Sequence, residues 1–354
     1  MNKLGSKNDI EVSTNQIPLA ENYSIRLYMA GDALLHGAVY NDAKQDDGSY
    51  DFSYMFENIA PLMGNCDLCY YNQETILGGT SLGLSSYPRF NSPQEFGDNM
   101  IDLGFNLVST ANNHSLDKDE IGIINSLEYW SDKPVVTAGT YLSLEDRDEI
   151  MIYEKNGITF AFLAYTYGTN GLMAPKGKEY LVNVYTEDML VNDISKVRDI
   201  ADVVIVSMHW GVEYTFTPTK EQEYFAKVLA DADVDIVIGS HPHVIQPIEW
   251  IDDTIIFYSL GNMISAQDTL NKRIGMIGAI KINKTVINGK SKIEISQPKA
   301  DLIYTYYDNN IKNFKIYLFS QLDNSILNNY EKIYEEYSKI IVEREGQIRI
   351  GGLE

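Results

Sequence analysis

The sequence predicts an α/β protein with two mixed central sheets and helices on their outer faces, an α-β-β-α layering. Short apolar strands alternate with helical segments along most of the chain, which calls for sheets covered by helices. Two stretches carry hairpin signals, Asn156-Gly157 and Asn288-Gly289, so the sheets are mixed rather than all-parallel. At 354 residues the chain is long enough for one large core.

The elements follow in order. Residues 1–20 are polar and aperiodic and read as a loose arm. SIRLYMAGD (24–32) is a buried strand and its exit. FSYMFENIAPLMG (52–64) has apolar residues at helical spacing. DLCYYNQE (67–74) is a second strand with a polar end. Residues 76–92, rich in Gly, Ser and Pro, form a long loop. SPQEFGDNMIDLG (92–104) is expected to be a helix capped by Ser92, with Pro93 first and Gly104 at its end. FNLVSTANNH (105–114) is a strand, residues 117–130 a helix, and PVVTAGTY (134–141) a strand. Residues 149–167 are two strands around Asn156-Gly157. SKVRDIAD (195–202) is helical, VVIVSMHW (203–210) a strand, and residues 220–232 a helix. VDIVIGSHPH (234–243) is a strand with its exit. Further hairpins follow from 249, and residues 324–345 form a helix. The main domain is expected over 21–300, with 301–354 a C-terminal extension whose helix packs on it.

Composition narrows the function classes. The formal net charge is -22 and no basic stripe is present, which argues against nucleic acid. An anionic substrate would need a local positive site such as bound metal. No run of 18 apolar residues predicts a membrane span, and the first residues lack the apolar core of a signal peptide. As written the chain reads as cytoplasmic, or as a cell-surface protein if a leader or anchor was removed. Cys66 and Cys69 form a C-x-x-C with no second pair, and are read as small buried apolar residues.

The unusual residues collect at strand exits: Asp32, Glu74, Asn113-His114, His209, and His241 with His243. Four of the five histidines lie there. Ligands in open α/β sheets bind at the carboxyl ends of strands, so these exits converge although 200 residues separate them. Imidazole, carboxylate and carboxamide together make a metal site, and the H-x-H spacing on extended chain points both rings one way. One or two divalent ions (manganese, zinc or iron) are expected. Around them, His36 is either a ligand or a residue packed on the next helix. Arg89 either pairs with a substrate anion or is a surface charge. Gly211 either admits backbone to a ligand or makes a tight turn beside Trp210 and Glu213. Asn262 is expected to orient the loop beside the site. The tyrosines, 25 in all, are read as scattered core and surface residues rather than a cleft lining.

The ordered set GDALLHG, YNQE, ANNHSLD, MHWGVEY, SHPHVIQP and IFYSLGN resembles the CapA family of poly-γ-glutamate capsule biosynthesis proteins over residues 25–266. That resemblance implies a metallophosphatase-like (calcineurin-like phosphoesterase) fold. Its parent pattern is D-x-H, G-D-x-x-D, G-N-H-D/E, a separate His, then G-H-x-H. Asp32 matches the first Asp, but Leu34 stands where a His would be, and Glu74 replaces the second motif. By resemblance, Glu74 lies nearest a bridging position, Asn113, His209 and His241 hold one ion, and Asp32 and His243 hold the other if it is present. His114 would protonate the leaving group. The missing first His leaves three options: a single tight metal, His36 as a substitute, or chemistry other than phosphoester cleavage.

Two functions follow as expectations. One is a metal-dependent hydrolase of a phosphoester or of an amide such as a glutamyl bond. The other is a non-catalytic polymer-binding or assembly subunit working with other capsule-synthesis proteins. A purely structural metal is the third option, and an open coordination position would exclude it.

Overall fold

The computed structural model describes residues 20–353. The expected arm over 1–20 therefore lies outside the described residues, Ala20 excepted.

The chain builds half of one sheet, then all of a second, then returns to finish the first. Strands β1 (Glu21–Leu34), β2 (Leu68–Asn72), β3 (Leu107–Ser109) and β4 (Val136–Ala138) lie side by side and parallel. The second sheet holds β5 (Ile152–Lys155), β6 (Ile158–Thr166), β7 (Val203–His209), β8 (Ile236–Ser240), β9 (Ile248–Ile251) and β10 (Thr254–Phe257). Its order is β5-β6-β7-β8-β10-β9, with antiparallel hairpins at both edges around a parallel centre. β11 (Asn262–Ser265), β12 (Ile274–Ile287), β13 (Lys290–Tyr306), β14 (Lys315–Leu318) and β15 (Arg349–Ile350) then extend the first sheet. β12 runs antiparallel to β1, while β11 runs parallel to it. Both sheets are mixed, as the hairpin signals predict.

Side-chain alternation produces the layers. Along β1, Leu27 and Met29 point between the sheets, where they join Phe160, Phe162, Ile205, Ile236 and Phe257 of the second sheet. Tyr28 and Ala30 point the other way, among Phe52, Phe56, Phe96 and Trp130. On the far face of the second sheet, Val204, Val206 and Val237 pack on Leu190, Ile194, Ala226 and Leu229 from two helices. Period-two alternation on facing strands thus makes three apolar layers, one between the sheets and one under each helical cover.

Several boundaries differ from expectation. Residues 52–64 are not one helix: they form a 3-10 turn at Ser53–Met55 and one helical turn at Ala60–Met63. The helix expected from Ser92 runs Glu95–Asp102, because the Ser92 hydroxyl bonds Thr75 Oγ1 instead of capping. The helix expected over 195–202 lies earlier, at Glu187–Val197, where Thr186 accepts from the Met189 N–H as N-cap. A division at residue 300 would cut β13 in two. The later residues supply β14 and β15 to the first sheet, and the helix Tyr330–Ile341 packs Ile333, Tyr337 and Ile341 into the inter-sheet core. Cys66 and Cys69 lie side by side, Cα atoms 5.8 Å apart, with Cys69 fully buried and Cys66 half-buried. Among the described residues, no helix is long and apolar enough to cross a membrane.

Candidate metal centre

Strand register brings the polar exits together. Asp32 on β1 stands opposite Asn72 of β2 on one side and Asn262 of β11 on the other. His209 is the last residue of β7 and lies beside Ser240, the last of β8. His241 and His243 follow in the next turn. Two glycines allow that approach: a Cβ on Gly31 would sit 1.8 Å from the Gly261 carbonyl oxygen, and one on Gly239 would sit 2.0 Å from that of Tyr258. His241 itself has φ +96°, a strained conformation for a residue with a Cβ. Its N–H donates to Asp32 Oδ2 at 3.2 Å, which ties the turn to β1.

Two groups of three ligands form. Glu74, His209 and His241 make one, and Asp32, Glu74 and His243 the other; within each, the ligand atoms lie within 4.8 Å of one another. Glu74 belongs to both. Its Oε1 is 3.5 Å from His243 Nε2 and 3.9 Å from His209 Nε2. The Asn113 carboxamide oxygen lies 3.0 Å from His209 Nε2, which suits two ligands on one ion, where bonds of about 2.1 Å leave about 3 Å between donors.

The donor set fits a divalent cation. Both Glu74 oxygens, Asn72 Oδ1 and His241 Nδ1 are buried with no hydrogen-bond partner. Buried polar atoms are rarely left that way unless an ion or water serves them. The protonation tendencies agree. Burial pushes the Glu74 carboxyl well above its ordinary range, although His243 pulls it back. Burial lowers His243, but Glu74 and Asp32 outweigh it and raise that imidazole to about 9. A cluster that draws protons onto its carboxylate side lacks positive charge, and a cation would supply it. Burial and the neighbouring rings hold His209 well below its usual value and His241 at about 3. Both rings therefore keep lone pairs for a metal.

Outer contacts fix the ligands. His243 Nδ1 lies 2.9 Å from Asn262 Oδ1, which aims Nε2 at Glu74. His209 Nδ1 lies 2.9 Å from Ser240 Oγ. Asn72 Nδ2 donates to Asp32 Oδ1 at 2.9 Å. Such partners set ring orientation and ligand basicity. Asn262, expected to orient the loop beside the site, here faces the His243 ring. Asn72 and Ser240 are missed by sequence reasoning, although Asn72 lies within YNQE.

His114 stands beside this cluster with its Nδ1 2.7 Å from Asp117 Oδ2, and its ring edge-on to Phe90. Asp117 Oδ2 also accepts from the Phe90 N–H at 2.6 Å. Asp117 is a second residue the sequence does not single out. His36 lies in neither ligand group: its Nδ1 is 3.1 Å from the Leu34 carbonyl oxygen and burial lowers it to about 4. Arg89 turns to the loop behind His114, donating to the Asp117 carbonyl at 2.7 Å and pairing with Asp119 at 3.0 Å. Gly211, at φ +86°, makes the tight turn after buried Trp210; the group closest to its missing Cβ is the Gln222 side chain. Glu213 is exposed on that loop, and its charge reaches Glu74 and His243. Two tyrosines also belong here: Tyr167 lies 4.7 Å from the His241 ring and Tyr214 6.1 Å from that of His243.

Residues 26–267 match the family described as Bacterial capsule synthesis protein PGA_cap. The chain belongs to this family. Among PGA_cap relatives, the PGA biosynthesis protein CapA of Bacillus subtilis is 33% identical over 55% of this chain and 51% of its own length. The capsule biosynthesis protein CapA of Bacillus anthracis is 29% identical over 70% of this chain and 61% of its own. This PGA_cap chain therefore spans between half and two thirds of the length of these two curated relatives. Among solved structures, a 5'-nucleotidase from Candida albicans aligns with 89% of this chain and 57% of its own at 11% identity and a TM-score of 0.43.

Proposed function

We propose that this PGA_cap chain is a metal-dependent hydrolase acting on poly-γ-glutamate or a related anionic cell-envelope polymer, at a phosphoester or amide bond. One observation carries the reading: Glu74, buried and without hydrogen-bond partners, is shared by two groups of ligands. Asp32 and His243 would hold one side of a divalent centre, and Asn113, His209 and His241 the other, with Glu74 between. Bound there, manganese, zinc or iron would supply Lewis acidity and a water acidic enough to attack near neutral pH. His114 holds a proton for the leaving group. Asp117 engages its Nδ1, so Nε2 is the atom that delivers. Leu34, standing where the parent pattern has its first His, favours one competitor, a polymer-binding subunit within a capsule-synthesis assembly.

Turnover separates the two. Purified chain is stripped with chelator, reloaded with manganese or zinc, and assayed on a phosphodiester, a phosphomonoester and poly-γ-glutamate. Metal-dependent release of product from any of them supports the hydrolase. Polymer bound by metal-loaded protein and never cleaved supports the binding subunit.

A further inference from the structure

A substrate anion must approach a protein of net charge -22, so the position of each cation near the cluster matters. Arg89 is engaged by Asp119 and the Asp117 carbonyl. Arg273 lies between the rings of Tyr304 and Tyr307 and donates to the Thr305 carbonyl. Lys272 is placed differently. Its Nζ lies 4.8 Å from the centre of the Tyr214 ring, and that ring is the one beside His243. The Tyr214 N–H donates to the Pro242 carbonyl at 2.7 Å, between the two turn histidines, so the ring is anchored to the metal-binding turn. Lys272 is tied to His243 by a second route: its carbonyl accepts from Asn262 Nδ2 at 2.8 Å, and Asn262 Oδ1 faces His243 Nδ1. Gln267 closes the ring of contacts, accepting from Asn262 Nδ2 at 2.8 Å and donating to the Tyr214 hydroxyl at 3.4 Å.

The Lys272 side chain is only 17% exposed, yet its acidic partner Asp268 is 85% exposed at 3.3 Å. An ion pair to so open a carboxylate is weak, and another anion can displace it. A lysine offers a compact charge and three donors on a flexible stem; the Tyr214 face lies under the ammonium and one donor reaches Asp268, which leaves capacity for a further anion.

We propose that Lys272 is a specificity-determining residue that holds an anionic group of the substrate, a carboxylate or a phosphate, at the mouth of the metal centre. Lys272 acts on a reaction only if the hydrolase reading holds, but its hold on the anion does not depend on turnover.

The test uses the full chain loaded with manganese, as wild type, Lys272→Met and Lys272→Arg. Affinity for poly-γ-glutamate and for inorganic phosphate is measured by calorimetry at low and high salt, with metal content checked in each sample. Loss of one charge-assisted contact should weaken one of the two probes about tenfold or more in Lys272→Met, with a smaller salt dependence. Lys272→Arg should recover most of that loss. Whichever probe responds names the anionic group. Equal affinity in wild type and Lys272→Met overturns the proposal. So does a Lys272→Met protein that loses its metal, which would make the residue structural, or a wild type that binds neither probe. Binding that depends on Lys272 without turnover would leave this assignment standing while the hydrolase reading fails.

Discussion

Glu74→Gln should separate metal binding from folding. Glutamine keeps the shape of the side chain and removes its charge. In metal-free wild type the Glu74 carboxyl is fully buried, neither oxygen has a hydrogen-bond donor, and the cost of burying its charge opposes its pull on His243, so folding draws little net energy from it. The metal-free variant should stay within about 1 kcal/mol of wild type, where removing a hydrogen-bonded core group costs about 1–3 kcal/mol. Metal tells the opposite story, because Glu74 is the ligand common to both groups. A ligand at about 1,000 times its Kd stabilises the native state by about 4.1 kcal/mol. For 354 residues the unfolding entropy is about 0.7 kcal/mol per kelvin, so wild type should gain about 6 °C in Tm. A hundredfold loss of affinity at the same metal concentration leaves about 1.4 kcal/mol, or about 2 °C. Scanning calorimetry on stripped and reloaded protein reads both numbers. A variant that keeps the full metal-induced gain would refute the shared-ligand argument. So would one whose metal-free form is destabilised by more than about 3 kcal/mol, since Glu74 would then be a folding residue.

Three further outcomes are expected. Asp117→Asn can keep one carbonyl oxygen for both N–H groups that now share Oδ2, but it removes the charge that strengthens the bond to His114 Nδ1, so His114 is held less firmly. The turnover number should fall about 10- to 100-fold with metal content unchanged, as steady-state kinetics beside elemental analysis would show. Asn262→Ala removes the contact that aims His243 and should weaken metal binding about 10- to 100-fold in a calorimetric titration, with the fold intact by circular dichroism. Away from the site, burial pushes the Asp202 carboxyl up, but Lys284 and the Thr159 donors outweigh it and hold it below its ordinary range. A depressed native pKa contributes stability above the unfolded value, near about 3.9, and loses it as pH falls through the native one. Asp202→Asn should therefore cost about 1 kcal/mol at neutral pH, and the gap to wild type should close in acid, below about pH 4. A gap in urea denaturation that stays constant down to pH 3 would count against the Lys284 pairing.

Much of the site is legible because its residues end apolar strands. Asp32, His209 and the H-x-H pair each follow a run whose burial needs no partner knowledge, and sheet topology then brings the exits to one place. The outer contacts are not legible for the same reason in reverse. That Asn72 faces Asp32 depends on the β1–β2 register, and that Ser240 supports His209 depends on the β7–β8 register, neither of which local sequence carries. Asp117 sits three residues from His114, within reach of a motif reading, but its role shows only once the chain turns back on Phe90. Arg89 illustrates the limit for surface cations: a guanidinium in a loop takes the nearest acceptors, here Asp119 and a carbonyl, and sequence does not list them. Helix starts went astray where a competing partner took the cap, as Thr75 does with Ser92.

Metal content is the most direct test of the central claim. Elemental analysis would compare wild type with the His241→Ala/His243→Ala double variant after reconstitution with manganese and with zinc. Each substitution removes a ligand from a different group. Wild type should hold one to two equivalents of divalent metal, and the variant well under half of that. A wild type that takes up no metal under either condition, or a variant that retains it in full, would contradict the convergent centre on which the functional assignment stands.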